Sequence, residues 1–122
     1  MAEKSLQLPG KDEAVIGRTV HRVVLWNLRP GVSAEQIESL NVKGRELLLQ
    51  IPGVEEVWTG VALEADAPYR YYALITLSSP EMVEVFNQHP LHARFGELYF
   101  NHLITEHYVV DYAIEPGHRH QE

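Results

Sequence analysis

The sequence predicts one α+β domain in which a four-stranded antiparallel sheet carries two helices on one face, in the order β-α-β-β-α-β. Three observations predict it. Four stretches rich in β-branched and aromatic residues alternate in that order with two amphipathic stretches, each amphipathic stretch follows a helix-start signal, and several strands are apolar on both faces. At 122 residues the chain is long enough for a single core, which at this size removes roughly two thirds of the unfolded chain's surface from water. A second domain is not expected.

Thr19–Leu28 is the first strand, closed by the turn signal Arg29-Pro-Gly31. One of its faces carries His21, Val23 and Leu25; the other carries Val20, Val24 and Trp26, broken only by Arg22, so both faces call for a cover. Ser33-Ala-Glu-Gln36 matches a capping box, and Ile37, Leu40, Gly44, Leu47, Leu48 and Ile51 then recur at helical spacing up to Pro52-Gly53. Val54–Leu63 and Tyr69–Leu77 are strand-like, and the polar, proline-ended Glu64–Pro68 joins them as an antiparallel hairpin. Ser79, as N-cap, and Pro80, at the first helical position, start a second helix with Val83 and Phe86 inward. His89-Pro90 interrupts it, because proline removes a backbone donor and pushes the preceding residue away from helical dihedrals. Leu91, Phe95, Leu98, Tyr99 and Leu103 carry the apolar stripe past the break, and His107–Ile114 alternates as the fourth strand.

This is the split βαβ, or ferredoxin-like, arrangement, which leaves one sheet face bare. A monomer exposing such an apolar face would be unusual, so two copies are expected to pack sheet to sheet as a homodimer. Residues 1 to 17 are expected to form a loose arm, 18–114 the domain, and 115–122 a loose tail.

Composition excludes several functions. A formal charge of −7 with no Lys/Arg cluster opposes the basic footprint that nucleic acid demands. The absence of cysteine rules out a disulfide framework and a thiolate nucleophile. No apolar run approaches the ~18 residues of a membrane span, and the charged N-terminus does not read as a secretory signal. The cytoplasm is the default compartment. No glycine-rich phosphate loop or nucleophile elbow occurs, and no cofactor is implied. His89-x-x-His92 and His118-x-His120 each offer two imidazoles, but neither has a third ligand nearby, so no metal is expected.

Chemistry concentrates in Phe86–Tyr99. His92 falls on a helix's first turn, where the partly positive helix end disfavours imidazolium and leaves a neutral imidazole able to accept a proton; its plainer reading is a helix-start cap. His89, before proline, suits a helix-stop residue. A lone histidine such as His21 in an apolar strand is usually satisfied by a neighbouring carbonyl or carboxylate. Tyr71 and Tyr99 could supply a phenol, though most such tyrosines are core residues with a wet tip.

His21-Arg-Val-Val-Leu25, Ile51-Pro-Gly-Val54, His89-Pro-Leu-His92 and Val110-Asp-Tyr112, in that order and spacing, resemble the stress-responsive A/B barrel (Dabb) proteins. The resemblance covers residues 19 to 114 and implies a homodimeric α+β barrel. Around Pro90–Tyr99 it is strongest to the olivetolic acid cyclases, plant members that close a polyketide chain by aldol chemistry. It puts the catalytic histidine at His92, a first-strand histidine at His21, and apolar pocket positions at Val23, Leu25, Val57, Ala73, Phe95, Gly96 and Leu98. Phe86 stands where those enzymes have a catalytic tyrosine, and Tyr71 where they have a third-strand histidine. The implied ligand is a small aromatic or polyketide-like molecule between sheet and helices, near Phe86, His89 and His92. The alternative within the same family is a non-catalytic, stress-protective dimer.

Overall fold

The computed structural model describes residues 17–115. Apart from Gly17 and Glu115, the arm and tail lie outside the described residues. In chain order the elements are strand β1 (Val20–Leu28); helix α1, made of Ala34–Ser39, Leu40–Gly44 and Arg45–Leu48; β2 (Val54–Val61); β3 (Tyr71–Leu77); α2 (Glu81–Gln88); α3, made of Pro90–Phe95 and Gly96–Phe100; and β4 (Ile104–Ala113). The strands lie in the order β2-β3-β1-β4, every neighbouring pair antiparallel, so the α+β ferredoxin-like fold is the observed one.

Local chemistry sets the element ends. The capping box forms as the sequence predicts: the Ser33 hydroxyl accepts from the Gln36 amide at 3.1 Å, and the Gln36 side-chain oxygen accepts from the Ser33 amide at 2.9 Å. Gly53 turns the chain into β2 with φ +89°, a left-handed conformation that glycine adopts without strain. At the start of α2 the N-cap is Pro80, one residue later than expected, and it is the Ser79 carbonyl, not its hydroxyl, that engages the helix, accepting from the Met82 amide at 3.0 Å.

Both longer helices carry a π-helical turn, Leu40–Gly44 in α1 and Gly96–Phe100 in α3. Such turns insert one extra residue into a helix and are frequent at functional sites. The helices meet closely where Gly44 faces Phe95, since a Cβ at Gly44 would stand 2.8 Å from that ring.

Strand register decides which side chains face the helices. Val24 pairs with Ala73 and Val109, Arg22 with Ile75 and Asp111, and Val57 with Ile75. Paired residues project to the same side, so these side chains face α1, α2 and α3, where the core clusters form around Leu77, Phe86 and Ile51 and around Trp26, Phe100 and Leu103. His21, Val23, Leu25, Leu74 and Val110 project from the opposite face. Around them stand Trp58, Tyr108 and Tyr112, each more than half exposed.

Candidate functional site

Between the sheet and the π-turned helices lies a partly enclosed cavity of about 290 Å³, at the lower edge of the roughly 300–1,000 Å³ typical of ligand pockets. Its floor is the helix-facing side of the sheet, including Arg22, Val24, Trp26, Val57 and Ala73. Its roof is Leu40, Arg45 and Leu48 from α1 with Phe86, His92, Phe95, Gly96 and Phe100 from α2 and α3. Asn101, His107 and Val109 line it as exposed residues and so mark its mouth.

Arg22 anchors the floor. Only 7 % exposed, it donates from Nε and Nη2 to the two carboxylate oxygens of Asp111 at 2.8 and 3.0 Å, and its guanidinium stands 5.2 Å from the centre of the Phe86 ring. The pair is bidentate and charge-assisted, the strong form of such contacts. Phe86, 1 % exposed, also packs on His92 with ring centroids 4.5 Å apart.

His92 is half-buried, and its Nδ1 lies 3.4 Å from the Asn87 carbonyl. Burial holds its pKa below the ordinary 6.5; the Asn87 carbonyl opposes that shift and the positive Arg22 adds to it. The neutral imidazole expected from the sequence is therefore favoured, with burial, not the helix end, as the leading cause. Because its folded pKa is the lower, the unfolded chain binds more protons, and stability present above pH 6.5 is lost as pH falls through the folded value. His92→Gln is expected to flatten that part of the melting temperature–pH curve, measured as wild type minus variant between about pH 8 and pH 5.

Of the residues singled out in the sequence, the structure brings His92, Phe86, Val57, Ala73, Phe95 and Gly96 to the cavity and keeps the others out of its wall. His21, Val23 and Leu25 belong to the bare sheet face. Their placement is one residue out of step, and since side chains alternate along a strand, that offset exchanges the whole set for Arg22, Val24 and Trp26. Leu98 points outward and is 45 % exposed. Tyr71 is on the helix-facing side but stacks on Trp26 at 6.1 Å, as part of the neighbouring core cluster. His89 is the cap of α3: its Nδ1 accepts from the Leu91 amide at 3.0 Å, so the capping considered for His92 falls to His89.

Arg22, Trp26, Arg45, Asn101, Phe100 and His107 also line the cavity, without a local sequence pattern that singles most of them out. Arg22 was the one legible signal, a charge in an otherwise apolar strand. Among the described residues no cluster of three His, Cys, Asp or Glu is placed to hold a metal ion, and no helix is long and apolar enough to cross a membrane.

The fold and cavity define a small ferredoxin-like protein with a pocket between sheet and helices. The chain belongs to the stress-responsive A/B barrel domain family, whose profile matches residues 20–114. Among solved structures it is similar to a protein from Arabidopsis thaliana, with 27 % identity, a TM-score of 0.72, and 82 % of this chain and 99 % of that one covered. It is also similar to a dimeric ferredoxin-like protein of unknown function from Thermobifida fusca, with 18 % identity, a TM-score of 0.69, and 80 % and 92 % covered. The hydroxynitrile lyase of Passiflora edulis shares the fold as well, with 18 % identity, a TM-score of 0.70, and 84 % and 99 % covered. No curated protein matches the chain.

Proposed function

We propose that this protein is a homodimer that binds a small aromatic or polyketide-like molecule in the cavity between sheet and helices, with His92 as the group that accepts or donates a proton. The observation carrying this reading is a half-buried imidazole, biased toward its neutral form, in the wall of a mostly apolar cavity of about 290 Å³. A neutral imidazole that sheds water can act as a base near neutral pH. Phe86 brings no hydroxyl beside His92, and the other proton-exchanging imidazole of the lining, His107, stands at the exposed mouth.

A thermal-shift screen with phenolic and β-diketone compounds tests binding, because a ligand that binds only the native state raises its stability. At least one compound is expected to raise the melting temperature of the wild type. For any compound that also turns over, His92→Ala is expected to abolish turnover at about pH 8, where the imidazole is neutral in both folded and unfolded chains, while leaving the protein folded. A series without a single shift would remove the ligand-binding reading and leave the non-catalytic dimer.

The dimer is supported by the apolar outer sheet face, where Trp58, Tyr108 and Tyr112 surround Val23, Leu25 and Val110, and by the dimeric assembly of fold neighbours. Large exposed apolar patches are rare on monomers. Light scattering at micromolar concentration is expected to give twice the chain mass, and Val110→Asp to shift the protein toward monomer; a wild-type monomer would overturn this assignment.

A further inference from the structure

The cavity's electrostatics run against those of the chain. Acidic residues outnumber basic ones 17 to 10, yet among the described residues the lining contains Arg22 and Arg45 and no Asp or Glu. Asp111 neutralises Arg22 through Nε and Nη2, and the Nη1 nitrogen makes no hydrogen bond among the described residues. Arg45, half-buried at the roof, forms neither an ion pair nor a side-chain hydrogen bond among the described residues. Trp26 adds an independent sign: the residue, 3 % exposed, is part of the lining, and its indole N–H is buried with no acceptor among the described residues. Native interiors seldom leave a buried donor unpaired.

On the reading that this cavity holds a small molecule, we propose that the ligand carries a single carboxylate and that Arg45 is the residue that selects it, with Arg22 Nη1 and the Trp26 indole N–H as the accompanying donors. The charge count favours a monoanion. One of the two guanidiniums is already neutralised, so one positive charge remains for the ligand to balance. A phosphate, doubly charged and more strongly hydrated, would bring uncompensated charge into walls made largely of Leu48, Val57, Ile75 and Phe95. A carboxylate matches one guanidinium in both charge and fork geometry, and the aromatic or aliphatic remainder occupies the apolar walls.

Titration calorimetry with two matched pairs tests this: benzoate against benzamide, and 2-naphthoate against 2-naphthamide. The acids are expected to bind at least tenfold more tightly than their amides. Arg45→Gln is expected to weaken acid binding about tenfold and amide binding less than twofold. Arg45 is the residue to vary because replacing Arg22 strands Asp111 and endangers the fold. Equal binding of acid and amide by the wild type would overturn the carboxylate assignment and leave the cavity as a neutral-ligand site. An acid preference that survives Arg45→Gln would overturn the role of Arg45. Binding of neither member of both pairs, together with a blank phenol and β-diketone screen, would remove the ligand-site reading and this inference with it.

Discussion

Phe86→Ala is expected to destabilise the protein by about 3–5 kcal/mol, the usual cost of emptying a fully buried aromatic position. The side chain is 1 % exposed and belongs to the main core cluster with Leu77 and Ile51. It is also the surface on which Arg22 and His92 rest, at 5.2 Å and 4.5 Å from the ring centre. Truncation therefore removes apolar burial and a cation–π contact together. In a domain of this size the loss corresponds to a fall in melting temperature of roughly 10–25 °C. Truncation also opens His92 to water, so its pKa, held down chiefly by burial, is expected to rise toward the ordinary value. Calorimetry checks the first effect, and an NMR titration of the His92 ring checks the second at temperatures where the variant remains folded.

Asp111→Ala should be nearly as damaging, at about 3 kcal/mol, because it leaves the Arg22 guanidinium buried without its carboxylate. The figure is at the low end for a buried pair, since the Asp111 side chain is 31 % exposed while that of Arg22 is 9 % exposed. Much of the cost is the stranded charge and not the worth of the pair. The double variant Arg22→Met with Asp111→Leu is accordingly expected to recover most of the stability lost in Asp111→Ala. Denaturant unfolding of the three proteins distinguishes the cases, since a double variant as unstable as the single one would locate the damage elsewhere. The double variant also removes one donor from the cavity, so restored stability would come with an altered ligand preference.

The elements were legible because local signals agreed with one another. The capping box at Ser33 and Gln36, the break at His89-Pro90 and the alternation through β4 each state a local geometry that packing did not override. The site was only half legible. His92 could be found because Pro90 fixes where its helix starts, and Phe86 because it lies on the apolar face of the preceding one. The β1 contribution went astray because apolar residues on both faces of that strand give periodicity nothing to choose between, and a one-residue offset then exchanges the cavity for the outer sheet face. Arg22 makes sense only beside Asp111, 89 residues further along the chain, a pairing that no local pattern carries. The π-turns at Leu40–Gly44 and Gly96–Phe100 were equally silent, since one inserted residue barely disturbs a 3.6-residue stripe while it re-aims the side chains that follow.

Chemical-shift mapping of the labelled protein during titration with its best-binding compound shows whether the space between sheet and helices is a ligand site with His92 in its wall. Saturable shifts are expected to concentrate on Val24, Trp26 with its indole N–H, Arg45, His92 and Gly96, with the outer-face residues Val23 and Val110 little changed. Shifts confined to that outer face, or scattered over the surface while the Trp26 indole and His92 stay unmoved, would contradict a ligand site in that space.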